Sequence, residues 1–334
     1  MKEKIAFFDT KPYDKIYFDR FNKQHNFEIT YFETKLSQET ALLARGFPVL
    51  CLFVHDKVDA QLATTLANMG VKHLALRSNG YNHIDLKSVY EKISVTRVPN
   101  YSPYAVAEHT ITLMLTLNRK THLAYWRTRM NNFNLNGLLG FDMHGKTAGV
   151  IGTGHIGAIV TRLLNAFGMR VFAFDVHKNK ALEQEGVEYA DLNTLYKNAD
   201  IITFHCPLTP ETKYMVNKDS IARMKDGVIL VNTGRGKLIH TTDLIDGLKQ
   251  KKIAGAALDV YEEEEKFFFE DLSGSFIEDD VLARLLTFPN VIITAHQGFF
   301  TQEALTQIAQ TTLENINCFF KKLTLQNEAR FQNT

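Results

Sequence analysis

The feature that most constrains the fold is a glycine-rich loop between two short apolar runs near the middle of the 334-residue chain. The first run, residues 148–151, leads into the sequence GTGHIG at 152–157, and the second run, residues 171–174, ends at Asp175. Between them, apolar residues recur at the spacing of one helix face, and Gly168 suits the end of that helix. The segment therefore predicts a strand, a glycine loop, a helix, a second strand and an acid, in that order.

The glycines of this loop, Gly152, Gly154 and Gly157, suit the binding of a dinucleotide. One allows a tight turn, one lets a pyrophosphate approach the backbone, and one lets the helix pack on the strand. The phosphates would lie at the helix N-terminus, where N–H groups and the helix dipole favour anions. Asp175 would accept the ribose hydroxyls and repel a 2′-phosphate, which favours NAD (NADH) over NADP. Glycine turns also cap ordinary helices, so a structural turn or another nucleotide-like ligand is the alternative; the flanking strands and the acid favour the dinucleotide.

The rest of the chain alternates between strand-like and helix-like runs, which predicts an α/β fold with parallel sheets covered on both faces. In the first hundred residues, the strand-like runs are 5–8, 49–54, 73–76 and 94–98, with helices predicted at 37–45 and 59–68. Around and after the glycine loop, the strand-like runs are 148–151, 171–174, 201–204, 228–231, 254–258 and 291–294.

Two longer helical stretches flank the nucleotide-binding region, one from Pro103 to about Met130 and the other over residues 302–320. The simplest path has the chain enter that region through the first helix and leave it through the second. This path predicts a discontinuous domain of residues 1–100 and 299–334, and a nucleotide-binding domain of residues 101–298.

Composition narrows the class of protein. Lys and Arg number 38 against 37 Asp and Glu, and this balance argues against a nucleic-acid or membrane-surface partner. No apolar run approaches transmembrane length, and the N-terminus lacks the apolar region of a signal peptide. The cysteines, Cys51, Cys206 and Cys318, are far apart and are expected to be reduced thiols of a cytoplasmic protein. The 12 histidines are scattered without metal-ligand spacing, so no metal site is expected.

Three polar groups follow predicted strands on the side of the sheet where the cofactor would bind. Arg235 follows the run 228–231, four glutamates at 262–265 follow the run 254–258, and His296 follows the run 291–294. An arginine can hold a carboxylate with two parallel hydrogen bonds, and a histidine can donate a proton to a carbonyl oxygen. A glutamate beside the imidazole would orient the ring and favour its charged form. Each group alone also suits a solvated loop or a structural contact, and the pattern does not choose among the glutamates. Together with the glycine loop, they favour hydride transfer to a 2-keto acid.

Taken together, the motifs of this sequence resemble those of the D-isomer-specific 2-hydroxy-acid dehydrogenases and, within them, the bacterial D-lactate dehydrogenases. The motifs that carry the resemblance are LALRSNGYNHID (74–85), VPNYSPYAVAEHT (98–110), GKTAGVIGTGHIG (145–157), HCPLTPET (205–212), VNTGRGKLI (231–239), ALDVYEEE (257–264) and TAHQGF (294–299). The resemblance implies two doubly wound parallel-sheet domains, a Rossmann NAD-binding domain and a flavodoxin-like substrate domain, with an active-site cleft between them. It also implies reduction of pyruvate to D-lactate with NADH, and a homo-oligomer, either a dimer or a tetramer.

The resemblance assigns roles to matching positions of this chain. Arg235 would bind substrate, His296 would be the acid/base, and Glu264, five residues after Asp259, would be the partner of His296. Near the nicotinamide, the family pattern places Cys206, Pro207, Thr233, Gly234 and Asp259, with Thr212 at a position of variable residue type. His155, Ile156 and Asp175 would hold the pyrophosphate and adenosine end. Backbone N–H groups at Asn79 and Gly80 would meet the substrate carboxylate, and Phe53, Tyr101 and Phe299 would wall its side chain. Such bulky walls leave room for little more than a methyl group, which favours pyruvate.

The chain departs from the family pattern at Gly234, His240 and Ala295, where relatives usually carry Ser or Ala, an acid, and Pro or Gly. None of these changes removes a chemical group that the reaction needs.

The alternatives are a dehydrogenase for a larger 2-keto acid, a non-catalytic NAD-sensing binding protein and, remotely, a methyltransferase. Residues 125–141 carry aromatic and aliphatic side chains among polar residues. This segment suits an arm that packs against a second subunit, or a loop packed on its own domain.

Overall fold

The fold is described from a computed structural model that covers residues 2–331. The chain divides into two compact units. The first consists of Met1–Ser102 with Phe300–Thr334, and the second of Pro103–Phe299.

Both units alternate strands with helices, as the sequence predicts. The strands are β1 (Lys4–Phe7), β2 (Glu28–Tyr31), β3 (Val49–Leu52), β4 (His73–Leu76), β5 (Ser94–Thr96), β6 (Thr147–Ile151), β7 (Arg170–Phe174), β8 (Glu188–Tyr189), β9 (Ile201–Phe204), β10 (Val228–Asn232), β11 (Ile253–Leu258) and β12 (Val291–Ile293). The α-helices are α1 (Pro12–Asn22), α2 (Ala60–Asn68), α3 (Leu86–Val89), α4 (Pro103–Arg119), α5 (Thr121–Arg129), α6 (His155–Ala166), α7 (Lys180–Gln184), α8 (Leu192–Asn198), α9 (Lys218–Arg223), α10 (Thr241–Lys249), α11 (Asp280–Leu286) and α12 (Gln302–Phe320). Short 3-10 helices span Ala41–Ala44, Gly236–Leu238 and Glu264–Lys266.

The first unit is built on a parallel sheet with strand order β2-β1-β3-β4-β5. Strands β3 and β4 are buried along their whole length, because apolar clusters cover both faces of the sheet. On one face, Leu50 and Leu74 pack with α2; on the other, Ile5 and Cys51 pack with α12. The C-terminal helix therefore belongs to the same unit as the N-terminal strands.

The second unit is built on a parallel sheet with strand order β12-β11-β10-β9-β6-β7-β8. The chain first runs outward from β6 through β7 to β8, and then returns to β9 and runs outward in the opposite direction. The strand order therefore reverses between β6 and β9, and ligands of such sheets bind beyond the strand ends at this point. The predicted α/β class with two parallel sheets is confirmed.

Some elements differ from the sequence-based expectation. Helix α1 and the edge strands β2 and β8 were not predicted, because their sequences show no clear apolar period. Helix α1 buries only Asp14 and Phe18, and β8 has only two residues. The helix predicted at 37–45 is only a 3-10 turn at Ala41–Ala44. The side chain of Thr40 competes with helix formation by bonding the backbone. Thr40 Oγ1 donates to Lys35 O at 2.7 Å and accepts from Ser37 N at 2.8 Å.

The helix predicted from Pro103 to Met130 is interrupted at Lys120, whose φ of 51° is left-handed. Helix α4 therefore ends at Arg119, and α5 starts a separate segment. Within residues 2–331, no helix combines the length and the apolarity that crossing a bilayer requires.

Candidate active site

The glycine loop connects β6 to α6 at the point where the strand order reverses. Gly152 has a φ of 94°, and a Cβ there would lie 2.5 Å from the backbone nitrogen of Cys206 after β9. A Cβ on Gly157 would lie 1.9 Å from Gly152 O, so the helix can approach the loop this closely only with glycine. At Gly154, by contrast, a Cβ would meet no heavy atom within 4 Å. The loop is thus crowded toward the sheet and open at the start of α6.

Helix α6 starts without a side-chain cap, because Gly154 occupies its N-cap. The N–H groups of the first turn, at His155 and Ile156, have no partner within a helix. An open, uncapped N-terminus beside close-packed glycines fits a pyrophosphate group. The residues present therefore suit the dinucleotide that the sequence predicts.

Asp175, one residue after β7, is held by backbone donors from two directions. Its Oδ2 accepts from Thr153 N at 2.6 Å, and its Oδ1 accepts from His177 N at 2.9 Å. Burial opposes ionisation, but the hydrogen bonds from Thr153 and His177 outweigh it and lower the pKa of Asp175. Tyr189 donates to Thr153 Oγ1 at 2.9 Å and thereby supports the same loop. The carboxylate is ionised and oriented, as recognition of ribose hydroxyls requires.

The loop that carries Arg235 follows β10 and is tied down by Asn232, the last residue of that strand. Asn232 Nδ2 donates to Arg235 O at 2.9 Å, and Asn232 Oδ1 accepts from Gly234 N at 3.0 Å. A Cβ on Gly236 would lie 2.0 Å from Tyr261 O, so this loop packs directly on the backbone after β11. Asn232 is a site residue that sequence reasoning missed; its place inside the VNTGRG motif is the signal that could have found it.

His296 contacts Glu264, the glutamate that the family spacing selects from the run at 262–265. The distance from His296 Nδ1 to Glu264 Oε1 is 2.9 Å, and Glu264 Oε2 accepts from Tyr261 N at 2.9 Å. Because a carboxylate only accepts, Nδ1 carries the hydrogen of this bond, and Nε2 is left for a ligand. His296 has a left-handed φ of 51°, which is costly for a non-glycine residue and typical of functional sites.

One aromatic residue after the glutamate run, Phe269, lies beside this pair. The ring of Phe269 has its centroid 6.1 Å from that of His296 and 6.4 Å from that of Phe299. Phe269 is also left-handed, with a φ of 66°. The sequence pattern assigned no role to Phe269, yet its ring supplies an apolar wall next to the histidine.

The side chain of Asp259 is engaged by the protein itself. Its Oδ1 accepts from Thr294 Oγ1 at 2.5 Å and from Gln297 N at 2.9 Å, and its Oδ2 accepts from Gly298 N at 2.8 Å. Burial raises the pKa of Asp259, but the hydrogen bonds from His109 and Thr294 lower it further than burial raises it. Asp259 therefore organises the loop that carries His296.

The remaining residues predicted for the cofactor side lie after β9. Burial raises the pKa of the Cys206 thiol to about 11, so the group is a neutral thiol near neutral pH. Thr212 Oγ1 donates to Pro207 O at 2.7 Å and accepts from Thr209 N at 2.8 Å, so its hydroxyl shapes this turn. Thr233, after β10, bonds through its hydroxyl to Thr110 at 2.8 Å.

In the first unit, the residues predicted to meet the substrate carboxylate follow β4. Arg97 Nη1 donates to Asn79 Oδ1 at 2.5 Å and to Asn79 O at 3.1 Å, and Ser78 Oγ donates to Gly80 O at 2.8 Å. These bonds shape the loop that carries Asn79 and Gly80.

Phe53 and Tyr101, the predicted walls on this unit, are buried and half-buried respectively. The guanidinium carbon of the buried Arg77 lies 4.7 Å from the centroid of Phe53 and 4.4 Å from that of Phe7. Arg77 and the half-buried Arg97 are supporting residues that the sequence pattern did not reveal, because neither a buried arginine between aromatic rings nor an arginine bonded to a distant loop has a local signature.

Comparison with known proteins adds to this geometry. The family model described as "D-isomer specific 2-hydroxyacid dehydrogenase, NAD binding domain" matches residues 111–298. A 2-hydroxyacid dehydrogenase homolog of Haemophilus influenzae is 50% identical over 314 residues, which are 94% of this chain and 95% of the relative. The D-lactate dehydrogenase of Escherichia coli is 48% identical over 326 residues, 97% of this chain and 99% of the relative.

Solved structures give the same result. The apo-structure of D-lactate dehydrogenase from Escherichia coli has a TM-score of 0.90 at 46% identity, covering 97% of this chain and 99% of that one. The structure of D-2-hydroxyisocaproate dehydrogenase has a TM-score of 0.85 at 29% identity, covering 98% and 100%. The family that the sequence motifs predict is thus confirmed: the chain belongs to the D-isomer-specific 2-hydroxyacid dehydrogenases, a family of NAD-dependent oxidoreductases.

Proposed function

We propose that this protein is an NAD-dependent D-lactate dehydrogenase, which reduces pyruvate to D-lactate. The observation that carries the proposal is the His296–Glu264 contact of 2.9 Å, which leaves Nε2 of the imidazole for a ligand. Arg235 follows β10 of the same parallel sheet, next to β11, the strand that precedes Glu264. The D configuration rests on the names of the relatives, since no distance within this chain distinguishes the two hands.

The cofactor would be held by the glycine loop and the strand ends around it. Gly152, Gly154 and Gly157 with His155 and Ile156 would bind the pyrophosphate, and Asp175 the adenosine ribose. We assign the nicotinamide half to Cys206, Pro207, Thr212, Thr233, Gly234 and Asp259. When bound, NADH supplies the hydride that reduces the carbonyl carbon.

We assign the substrate carboxylate to Arg235, whose planar guanidinium can form two parallel hydrogen bonds with it. The family pattern also assigns Asn79 and Gly80 of the first unit to the substrate carboxylate. It assigns Phe53, Tyr101 and Phe299 to the substrate side chain, and their bulk favours the methyl group of pyruvate.

His296 would move the proton of the reaction. In the reducing direction, its Nε2–H donates a proton to the carbonyl oxygen as that oxygen gains charge. Glu264 accepts the Nδ1–H throughout, so it keeps the ring oriented and stabilises the imidazolium before transfer. In the oxidising direction, the neutral Nε2 takes the proton back from the hydroxyl.

A second candidate is a dehydrogenase for a larger, branched 2-keto acid. The similarity to D-2-hydroxyisocaproate dehydrogenase, with a TM-score of 0.85, favours it as the alternative. The mechanism would be the same, and only the walls of the substrate pocket would differ.

The test is a steady-state assay of NADH oxidation with pyruvate, 2-ketoisocaproate and oxaloacetate. We expect kcat/KM to be highest for pyruvate, and a higher value for 2-ketoisocaproate would replace pyruvate with the larger acid. His296→Asn should abolish turnover while the dissociation constant for NADH, measured by fluorescence, stays unchanged. Turnover with none of the acids, despite tight NADH binding, would contradict the enzyme proposal and favour an NAD-sensing protein.

We further propose that the protein acts in the cytoplasm as a homo-oligomer. Three free cysteines, half-buried or buried, suit a reducing compartment. The apolar side chains of Phe133, Leu135 and Leu139 are 73%, 79% and 87% exposed, which is unusual for an isolated chain and suits a second copy as their partner.

A further inference from the structure

The N-terminal half of α4 belongs to a motif, residues 98–110, for which the proposed function uses only Tyr101. Two consecutive residues of this helix, His109 and Thr110, reach the ends of three strands. His109 contacts the residues after β11 and β12, and Thr110 contacts the residue after β10. The end of β12 precedes His296, and the end of β10 precedes Arg235.

His109 connects α4 to the loop that carries His296. Its Nε2 lies 3.1 Å from Thr294 Oγ1 and 3.2 Å from Asp259 Oδ1, and its side chain is 14% exposed. The hydroxyl of Thr294 donates to Asp259 Oδ1, which as a carboxylate can only accept. Nε2 of His109 is therefore the donor to both oxygens. Gly298 packs on the same ring, since a Cβ there would lie 3.5 Å from His109 Cδ2.

The group that receives this hydrogen bond also holds the backbone of His296. Asp259 accepts N–H bonds from Gln297 and Gly298 through its side chain, and from His296 through its carbonyl oxygen at 2.8 Å. These bonds surround the left-handed backbone of His296, which would be costly without them. The orientation of the imidazole toward Glu264 thus depends on Asp259, and Asp259 is bound by His109.

Thr110 makes a matching connection to the arginine loop. Its Oγ1 lies 2.8 Å from Val106 O, to which it donates, and 2.8 Å from Thr233 Oγ1. A hydroxyl has one hydrogen, so Thr233 donates to Thr110. Both threonines are buried, and Thr233 directly precedes the Gly234–Arg235 pair. Loss of this acceptor would leave the hydroxyl of Thr233 without its partner and free the start of the loop.

We infer that His109 and Thr110 are positioning residues: they set the places of the proton donor and of the carboxylate-binding arginine from one rigid helix. His109 acts on His296 through Asp259 and Thr294, and Thr110 acts on Arg235 through Thr233. This inference rests on the proposed roles of His296 and Arg235. It also explains why α4 carries polar side chains at 109 and 110, where it meets the strand ends.

The first test compares His109→Gln with His109→Asn. The glutamine amide nitrogen can reach the position of Nε2, whereas the shorter asparagine amide cannot, and both variants are neutral and polar. We expect His109→Asn to lower kcat about 10- to 100-fold, because small misplacements of a catalytic group have effects of this order. His109→Gln should keep kcat within about threefold of wild type. Equal loss in the two variants would overturn the role of the Nε2–H donor.

The second test compares Thr110→Val with Thr110→Ser, and uses Thr112→Val as the control. Thr112 lies on the same helix and makes the same kind of bond, to Glu108 O at 2.8 Å, but it is exposed. We expect Thr110→Val to raise KM for pyruvate about tenfold with a smaller change in kcat, because it acts on the arginine. Thr110→Ser and Thr112→Val should behave as wild type. A general loss of folded protein would instead lower the apparent kcat and leave KM unchanged in both His109→Asn and Thr110→Val, and that result would overturn the inference.

A third measurement separates this inference from the proposed function. The ring carbon–proton NMR signal of His296, assigned with His296→Asn, reports the geometry of the imidazole without turnover. It should move in His109→Asn and stay at the wild-type position in His109→Gln, whether or not pyruvate is the substrate. If the wild-type protein fails to oxidise NADH with any of the 2-keto acids, the proposed function is wrong. The NMR comparison still decides whether His109 positions His296. Unchanged signals in both variants would overturn it.

Discussion

At the scale of single residues, Arg235 is defined by geometry as much as by charge. Its Nη1 donates to Gly234 O at 2.8 Å, and its backbone is tied to Asn232, so the position of the guanidinium is restricted. Arg235→Lys keeps the charge but cannot form two parallel bonds with a carboxylate. We expect KM for pyruvate to rise about 10- to 100-fold and kcat to fall, with NADH binding unchanged. The nearby, half-buried Lys237→Gln serves as the control, and wild-type kinetics in Arg235→Lys would remove Arg235 from the site.

Asp175 is the residue that should decide between the two nicotinamide cofactors. Its lowered pKa keeps it charged at neutral pH, and the N–H groups of Thr153 and His177 fix its direction. Asp175→Asn removes the repulsion of a 2′-phosphate, so the ratio of kcat/KM for NADH over NADPH should fall by about tenfold or more. Asp191→Asn, which alters only the N-cap of α8, should leave the ratio unchanged. The ribose role would be wrong if Asp175→Asn kept the wild-type preference.

At the scale of secondary-structure elements, His73 links β4 to β5 inside the first unit. Its ring nitrogens lie 2.8 Å from Ser94 Oγ and 3.0 Å from Thr96 Oγ1, and its ring stacks on Phe319 of α12. Burial lowers the pKa of His73 to about 3, whereas in the unfolded chain it is about 6.5. Between these values, the unfolded chain binds a proton at His73 that the folded protein does not bind. Stability is therefore lost as pH falls through this window.

The corresponding prediction is that His73→Gln flattens the pH dependence of unfolding. The slope that His73 contributes between pH 6.5 and 3 is about 1.4 kcal/mol per pH unit, because one proton is taken up on unfolding. Urea titrations at several pH values would measure it. His144→Gln, at an exposed histidine, is the control. Parallel pH profiles for wild type and His73→Gln would show that the buried ring is charged in the folded protein.

At the scale of the whole molecule, the segment after α5 exposes apolar surface that the chain itself does not cover. Leu135 and Leu139 are the most exposed leucines of this segment. If a second copy covers them, Leu135→Asp with Leu139→Asp should convert an oligomer to a monomer, because charge would be buried without a partner. Light scattering after size-exclusion chromatography measures the mass. Ile16→Asp, at an exposed apolar residue of α1, should leave the mass unchanged; a monomeric wild type would contradict the proposal.

The sequence by itself determined the fold class and most strands of this protein. Apolar runs of four to six residues, the glycine spacing at 152–157 and the acid at 175 are local patterns, and each reports the structure of its own segment. The positions of Arg235 and His296 at strand ends could also be predicted, because residues that follow parallel strands lie at the same edge of a sheet. Elements without an apolar period, such as α1 and β2, escaped this reasoning.

Only the tertiary structure decided which side chains touch. Glu264 could be chosen from its run by family spacing, but its contact with His296 joins residues 32 positions apart in the chain. His109 and Thr294 are 185 positions apart, and Thr110 and Thr233 are 123 positions apart. Such contacts depend on the strand order, on the register of the sheet and on the rotation of α4 about its axis, and no local pattern encodes these quantities. The sequence therefore names the groups that carry the chemistry, and the folded chain alone determines what holds them in place.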